Sequence, residues 1–248
     1  MLWLLTGVTT VVLLVIALMI KDIAKKPTVA RPAALSASAR RVSNAVAPGS
    51  IRRRVSPRRK TSPSPGAPAS RPKVTDTASG LSYQLLSSPW RPGCPSTLNT
   101  PVFTWSAGEN AVAGHVTIGG SIFDWRGNAC SGQLQQQFAY SGPADLEPTA
   151  MSLVGALDPA YYSGVQHYRT LEGSSAMQVS GHQAWVVTFG VNYPDGASQG
   201  FTWSSEQGAV VVVDRGAGQA PAVFYVSVPS NLGTADVGTL IDSLRLNH

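Results

Sequence analysis

The first seventy-five residues of this 248-residue chain cannot build a globular core, and that sets the organisation of everything else. Residues 1–20 contain no charge and are dominated by Val, Leu and Ile. Twenty residues rising 1.5 Å each span about 30 Å, the thickness of a bilayer's hydrocarbon core. Trp3 stands towards one end of the run, and Lys21, Lys25 and Lys26 bound the other, as at a membrane interface. No basic stretch precedes the run and no small-x-small site precedes Lys21, so it reads as a retained single-pass transmembrane anchor and not a cleaved signal peptide. Residues 21–75 then hold eight prolines and no aromatic residue. Such a stretch buries too little apolar surface to offset its ordering entropy, which predicts a disordered tether. As a flexible coil it would reach roughly 40 Å. Residues 76–248 remain for one folded domain.

Charge divides at the same point. Residues 1–75 hold fourteen basic residues against one acidic, Asp22, whereas residues 76–248 hold five basic against twelve acidic. The net +6 and the pI near 9.6 are therefore properties of the tether. The folded part offers no basic face to a polyanion, so no nucleic acid partner is expected. Within the tether, Arg52, Arg53, Arg54, Arg58, Arg59 and Lys60 crowd into nine residues. Besides keeping the tether extended, they are candidate contacts to anionic lipid headgroups or an anionic envelope polymer.

Orientation is argued both ways. Lys21, Lys25, Lys26 and Arg31 follow the anchor and no basic residue precedes it, which by the positive-inside rule puts the carboxyl side in the cytoplasm. On that alternative the domain is a cytoplasm-facing module held on anionic lipid by its basic linker. Residues 76–248, however, contain no Lys and both cysteines, Cys94 and Cys130. One disulfide between them suits an oxidising compartment. The expectation adopted is a cell-membrane protein whose domain is extracytoplasmic.

Hydrophobic periodicity predicts the elements of that domain. Residues 80–86, 102–105, 111–118, 122–125 and 133–140 read as short strands. The last of these sets Leu134, Phe138 and Tyr140 against glutamines. Leu146, Ala150, Leu153, Val154 and Leu157 keep a 3.6-residue period, so a helix follows, with Asp145 as its N-cap and Asp158-Pro159 as its end. Residues 183–193 are apolar on both faces, as a central strand covered on both sides is, and residues 208–214 and 222–228 are the other strong strands. Residues 215–221 read as a hairpin loop and residues 234–246 as a closing helix. Strands, helix, antiparallel strands and closing helix make an α+β domain, an antiparallel sheet covered by helices.

The stretch Val179-Ser-Gly-His-Gln-Ala-Trp185, with Val210-Val-Val-Val-Asp214, Val223-Phe-Tyr-Val-Ser-Val-Pro229 and the closing Val237 to Arg245, resembles the PsbP-like fold. It looks most like membrane-tethered or LpqN-type lipidated versions in actinobacteria, over about residues 79–246. It differs from the LpqN type in having no lipobox and in carrying Cys94 and Cys130. The resemblance implies a non-catalytic binding or assembly module; the expectation adopted is one of the cell envelope, binding a partner protein or an envelope component and without a cofactor.

Candidate chemistry is sparse. Ala129-Cys-Ser-Gly132 resembles the nucleophile region of NlpC/P60-like cysteine peptidases of the cell wall, with His182 as base; such pairing is how a cysteine becomes a nucleophile. That family carries Asp directly before its Cys, and position 129 is Ala. His115, His167, His182 and His248 show no metal-ligand spacing, so no metal is expected. The densest polar and aromatic cluster is Tyr161, Tyr162, His167, Tyr168 and Arg169 after Asp158-Pro-Ala, with Tyr193, Trp185 and Trp203 as further candidates for the same side. Rigid rings and an arginine suit a binding surface.

Overall fold

The computed structural model describes residues 72–233 and 236–247. The anchor expected at residues 1–20, the part of the expected tether before residue 72 and the six clustered basic residues lie outside them. Among the described residues no helix is long and apolar enough to cross a membrane.

Among the described residues, ten strands and two α-helices follow in the order β1 Lys73–Thr75, β2 Leu81–Gln84, β3 Arg91–Pro92, β4 Ala107–Ile118, β5 Ser121–Gln133, α1 Leu146–Leu157, β6 Tyr168–Val179, β7 His182–Asn192, β8 Ser205–Val213, β9 Ala222–Pro229, α2 Asp236–Ser243 and β10 Arg245–Leu246. Seven strands form one antiparallel sheet in the order β3-β4-β5-β9-β8-β7-β6, and a small sheet has the order β1-β2-β10. The domain is α+β with antiparallel sheets.

The central strands explain the layering. In β8, Val210 and Val212 point into a core shared with Leu153, Val154 and Leu157 of α1. Their neighbours Val211 and Val213 point into a second core with Leu81 and Tyr83 of β2 and Leu240 and Leu244 of α2. β9 divides in the same way, Val223 and Tyr225 against Phe224, Val226 and Val228. Alternate side chains leave opposite faces of a strand, so a strand apolar on both faces needs a cover on each. Here α1 covers one face and the small sheet with α2 the other.

Several boundaries depart from the periodicity. Residues 102–105 are not a strand: Thr100 Oγ1 accepts the amides of Val102 and Phe103 at 3.2 and 3.1 Å, and Asn99 Oδ1 accepts that of Trp105 at 2.8 Å. Side chains, not a neighbouring strand, satisfy this backbone, while the rings of Phe103 and Trp105 stack at 5.6 Å in the core. The strands expected at 111–118 and 122–125 are the long pair β4 and β5. Beyond Gln133 the strand expected to reach Tyr140 stops. Its partner β9 begins at Ala222, the Leu134 amide still bonds Pro221 O at 2.9 Å, and a turn follows with Phe138 N on Gln135 O. The apolar alternation there packs Leu134, Phe138 and Tyr140 inward without a ladder.

Asp145 makes no capping bond to α1; its carboxylate instead accepts the Ser141 amide at 2.7 Å and hydroxyl at 2.6 Å. Pro159 does not end the helical path either, since Asp158–Tyr162 continues as a π-helical turn. The closing helix is shorter than expected because Arg245 and Leu246 pair with Ser82 and Leu81 of β2. β1 begins at Lys73, inside the range read as tether, because its backbone pairs with Ser82 to Gln84. β6 is an edge strand that the periodicity did not show.

Cys94 and Cys130 are joined in a disulfide. It ties the segment after β3 to β5, inside the α1-side core. Cys130 is therefore no resting nucleophile, and it lies within a strand rather than opening a helix. His182 turns its Nδ1 to Asp214 O at 3.1 Å.

Candidate functional site

The π-helical turn after α1 separates the candidate aromatic residues. One-turn π segments reorient successive side chains, and Tyr161 and Tyr162 make separate sets of contacts. The Tyr161 hydroxyl accepts from Trp105 Nε1 at 2.9 Å and donates to Leu98 O at 2.8 Å. Tyr162 is buried and sends its hydroxyl towards β8 and β9.

Of the expected cluster, the structure brings Tyr162, His167 and Arg169 together around Asp158. His167 Nε2 lies 3.0 Å from Asp158 Oδ1 and its Nδ1 3.0 Å from Val165 O. Arg169 donates to the same Asp158 oxygen and to the carbonyl of Val154. The guanidinium also sits over the rings of Phe189 and Tyr162, at 5.0 and 5.8 Å. These contacts tie the end of α1 to the start of β6. Tyr168, on β6, is 56% exposed. Trp185 donates to Ser174 on β6 at 2.8 Å, away from the group. Tyr193 and Trp203 do approach it, through Trp125, whose ring lies 5.8 Å from Tyr193, 6.4 Å from Trp203 and 6.1 Å from Tyr162.

Beside Tyr161 and Tyr162 an open cavity of about 230 Å³ enters the α1 side of the sheet. Its floor comes from Glu206 of β8 with Tyr225 and Ser227 of β9; Trp125 and Asn128 of β5 form one wall, and Thr97, Ile118 and Phe123 stand nearer the surface. Phe123 is 49% exposed. The 95–98 side of the cavity follows directly on Cys94, so the disulfide holds that wall to β5.

Glu206 is only 2% exposed. It accepts from Trp125 Nε1 on one oxygen, and from the Ser227 and Tyr162 hydroxyls on the other, the latter at 3.3 Å. Burial pushes its carboxyl above the usual range, and the hydrogen bonds from Ser227, Trp125, Tyr193 and Tyr162 offset only part of that. Burial likewise raises the Tyr162 hydroxyl well above its ordinary value and pushes Tyr225 up to about 12, so neither ionises near neutrality. Asn128 is 6% exposed. Its Nδ2 donates to Arg126 O at 2.9 Å, and its buried Oδ1 has no partner.

Chemically the site offers flat rings, one buried carboxyl and one unpaired acceptor. Among the described residues no three His, Cys, Asp or Glu are grouped to hold a metal ion. At the mouth, Asp124 pairs with Arg126 at 2.6 Å and His115 at 2.9 Å. Glu206 is surrounded by the Ser227 and Tyr162 hydroxyls and the Trp125 indole. Glu206, Asn128, Trp125, Tyr225 and Ser227 were not singled out from the sequence. A signal existed for two of them. Glu206 is in phase with Val210 and Val212, and Ser227 with Tyr225 and Val223, so both polar groups fall on a core-facing register.

No protein-family model matches the chain, and no curated protein matches it in sequence. Among solved structures it is similar to cyanobacterial PsbP (CyanoP) from Synechocystis sp. PCC 6803, at 10% identity over 74% of this chain and 98% of that one, with a TM-score of 0.45. It is also similar to LpqN of Mycobacterium tuberculosis, described as involved in cell envelope biogenesis, at 16% identity over 74% and 87% of the two chains, with a TM-score of 0.38.

Proposed function

We propose that the domain is an extracytoplasmic, non-catalytic binding module of the cell envelope that takes a small molecule in the cavity floored by Glu206, Tyr225 and Ser227. Residues 1–20 would anchor it in the membrane. Residues 21–75 would tether it, with Arg52, Arg53, Arg54, Arg58, Arg59 and Lys60 drawing the tether to anionic lipid or envelope polymer. The Cys94–Cys130 disulfide supports the compartment, because such bonds persist where thiols are not kept reduced.

One observation carries the ligand reading: Asn128, which lines the open cavity, keeps its buried Oδ1 without a partner in the protein. Leaving a buried acceptor unpaired costs about 1–3 kcal/mol, so a site that keeps one gains by receiving a donor. Concave, largely apolar sites with a few convergent polar groups are where small molecules bind. The test is to block the mouth at Thr97, an exposed residue, with Thr97→Trp. Thermal melts of the full chain in detergent are compared against a panel of small aromatic and polar fragments. The expected result is that fragments raising the melting temperature of the wild type leave Thr97→Trp unmoved. Equal stabilisation of both proteins contradicts the proposal.

A further inference from the structure

The hydrogen-bonding inventory of the cavity is lopsided, and that lopsidedness identifies the chemistry of its occupant. The donors at the floor have partners within the protein: Trp125 Nε1 and the Ser227 and Tyr162 hydroxyls donate to Glu206, the Tyr225 hydroxyl lies 3.3 Å from that of Tyr162, and the Tyr161 hydroxyl donates to Leu98 O. The Asn128 amide nitrogen is spent on Arg126 O. Acceptors remain. Asn128 Oδ1 is unpartnered, and the Glu206 carboxyl, an acceptor on both oxygens when ionised, lines the same cavity.

Charge points the same way. The charged groups lining the cavity are Glu206, Asp124 and Arg126. Arg126 is committed, one nitrogen to Asp124 at 2.6 Å and another to Asn110 Oδ1 at 2.7 Å. The lining therefore has no uncommitted cation for an anionic guest, and it has a carboxyl at its floor. The walls are the rings of Trp125, Tyr161, Tyr162 and Tyr225, whose negative faces attract cations.

We propose that the cavity binds a small organic cation, a primary ammonium on a flat or apolar body, whose N–H groups pair with Asn128 Oδ1 and Glu206. The inference rests on the reading of this cavity as a ligand site. An ammonium has three donors and no acceptor, which complements this lining. Where Glu206 is protonated in the empty site, it loses its proton to solvent as the ammonium enters, so that one buried charge pair replaces two separate neutral and solvated groups. The groups facing Glu206 are Trp125 from β5, Tyr162 from the π-helical turn, Tyr193 following β7, and Tyr225 and Ser227 from β9. Arg169, whose charge bears on Tyr193 and Tyr225, is held by Asp158 and Val154 O.

The experiment is isothermal titration calorimetry of the full chain in detergent with benzylammonium, benzyl alcohol and benzoate, which share a ring and differ in charge. Benzylammonium is expected to bind at least tenfold more tightly than benzyl alcohol, and benzoate not at all. Its heat should vary with the buffer's ionisation enthalpy, reporting one proton released below the midpoint of Glu206. Glu206→Gln should erase the preference for the ammonium. Asn128→Leu, which keeps the wall apolar, should weaken the ammonium about tenfold, and decides the matter if Glu206→Gln does not fold. Equal binding of alcohol and ammonium, with both lost in Thr97→Trp, overturns the cation and leaves the cavity a ligand site. Absence of binding by all three probes overturns both.

Discussion

Removing the disulfide by Cys94→Ala with Cys130→Ala should cost the domain about 4 kcal/mol. The bond spans a sequence separation of 36 residues, and closing a loop of that length in the unfolded chain is worth about 4 kcal/mol in the chain-entropy model. Little else does the same work. β3 contributes two paired residues, Arg91 with Asn110 and Pro92 with Glu109, and the next regular piece, Ser96–Leu98, is a single 3-10 turn with no buried residue. The segment after β3 forms one side of the cavity, so the variant should lose fragment binding as well as stability. With a urea slope of about 2 kcal/mol/M, typical for a domain of this size, the unfolding midpoint should fall by about 2 M. The slope itself should stay constant. A chemical count accompanies this: the native chain resists alkylation, and after reduction it takes two labels. A midpoint shift under about 0.5 M would refute the loop-closure reasoning. A fast-reacting thiol in the unreduced protein would refute the bond itself and restore Cys130 as a candidate nucleophile.

Other consequences are as specific. The fold raises the Glu206 pKa, so the folded chain holds a proton that the unfolded chain has lost; this contribution is complete below the ordinary carboxylate range and falls as pH rises through the raised value. Glu206→Gln should flatten that decline by up to about 1.4 kcal/mol per pH unit, read from urea midpoints between pH 4 and 8. Asp76 behaves oppositely: burial opposes its ionisation, but hydrogen bonds from Ser79, Ser106 and Ser131 outweigh it and lower the pKa. Its stabilisation is present above the ordinary carboxylate range and disappears as pH falls through the lowered value, and Asp76→Asn should remove this acid-limb loss in the same titration. Gly132→Ala would place a Cβ 2.3 Å from the carbonyl oxygen of Thr104, and the backbone shift required should cost about 1–3 kcal/mol in the urea midpoint. Replacing Arg52, Arg53, Arg54, Arg58, Arg59 and Lys60 with Ser should abolish binding of a residue 21–75 peptide to anionic vesicles, which for the native peptide is released by about 0.5 M salt as screening shortens. Salt-insensitive binding would contradict that role. Protease added to intact cells should remove residues 76–248; full protection would place the domain on the cytoplasmic side.

What the sequence made legible follows from how each element meets its neighbours. α1 is legible in the sequence from Leu146 to Leu157, because one apolar stripe packs on one sheet face and its buried residues keep the helical period. β8 and β9 were readable because both of their faces are covered. β6 was not, since it lies at the free edge with only Val179 buried, and it carries a register shift between Leu171 and Gly173. Residues 133–140 misled for the converse reason: their alternation is real, but the neighbouring strand that would make it a ladder ends at Ala222. At the site, the density of rings after Asp158 drew attention to Tyr161 and Tyr162, and both line the cavity. Glu206 and Asn128 escaped notice because the cavity is assembled from β5, β8, β9 and the turn after α1, which no local spacing connects. Only the strand register shows that a carboxyl and an amide point where valines and a cysteine otherwise do.

The claim that Asn128 and Glu206 face a ligand site is tested most directly at those side chains. Full chain labelled with nitrogen-15 at Asn and Trp side chains is titrated with benzylammonium, with Thr97→Trp as the blocked control. The account predicts that the Trp125 indole N–H, which donates to Glu206, and the Asn128 amide shift together along one saturable curve, and that neither shifts in the blocked protein. Saturable shifts confined to other tryptophans, or unchanged by Thr97→Trp, would contradict it.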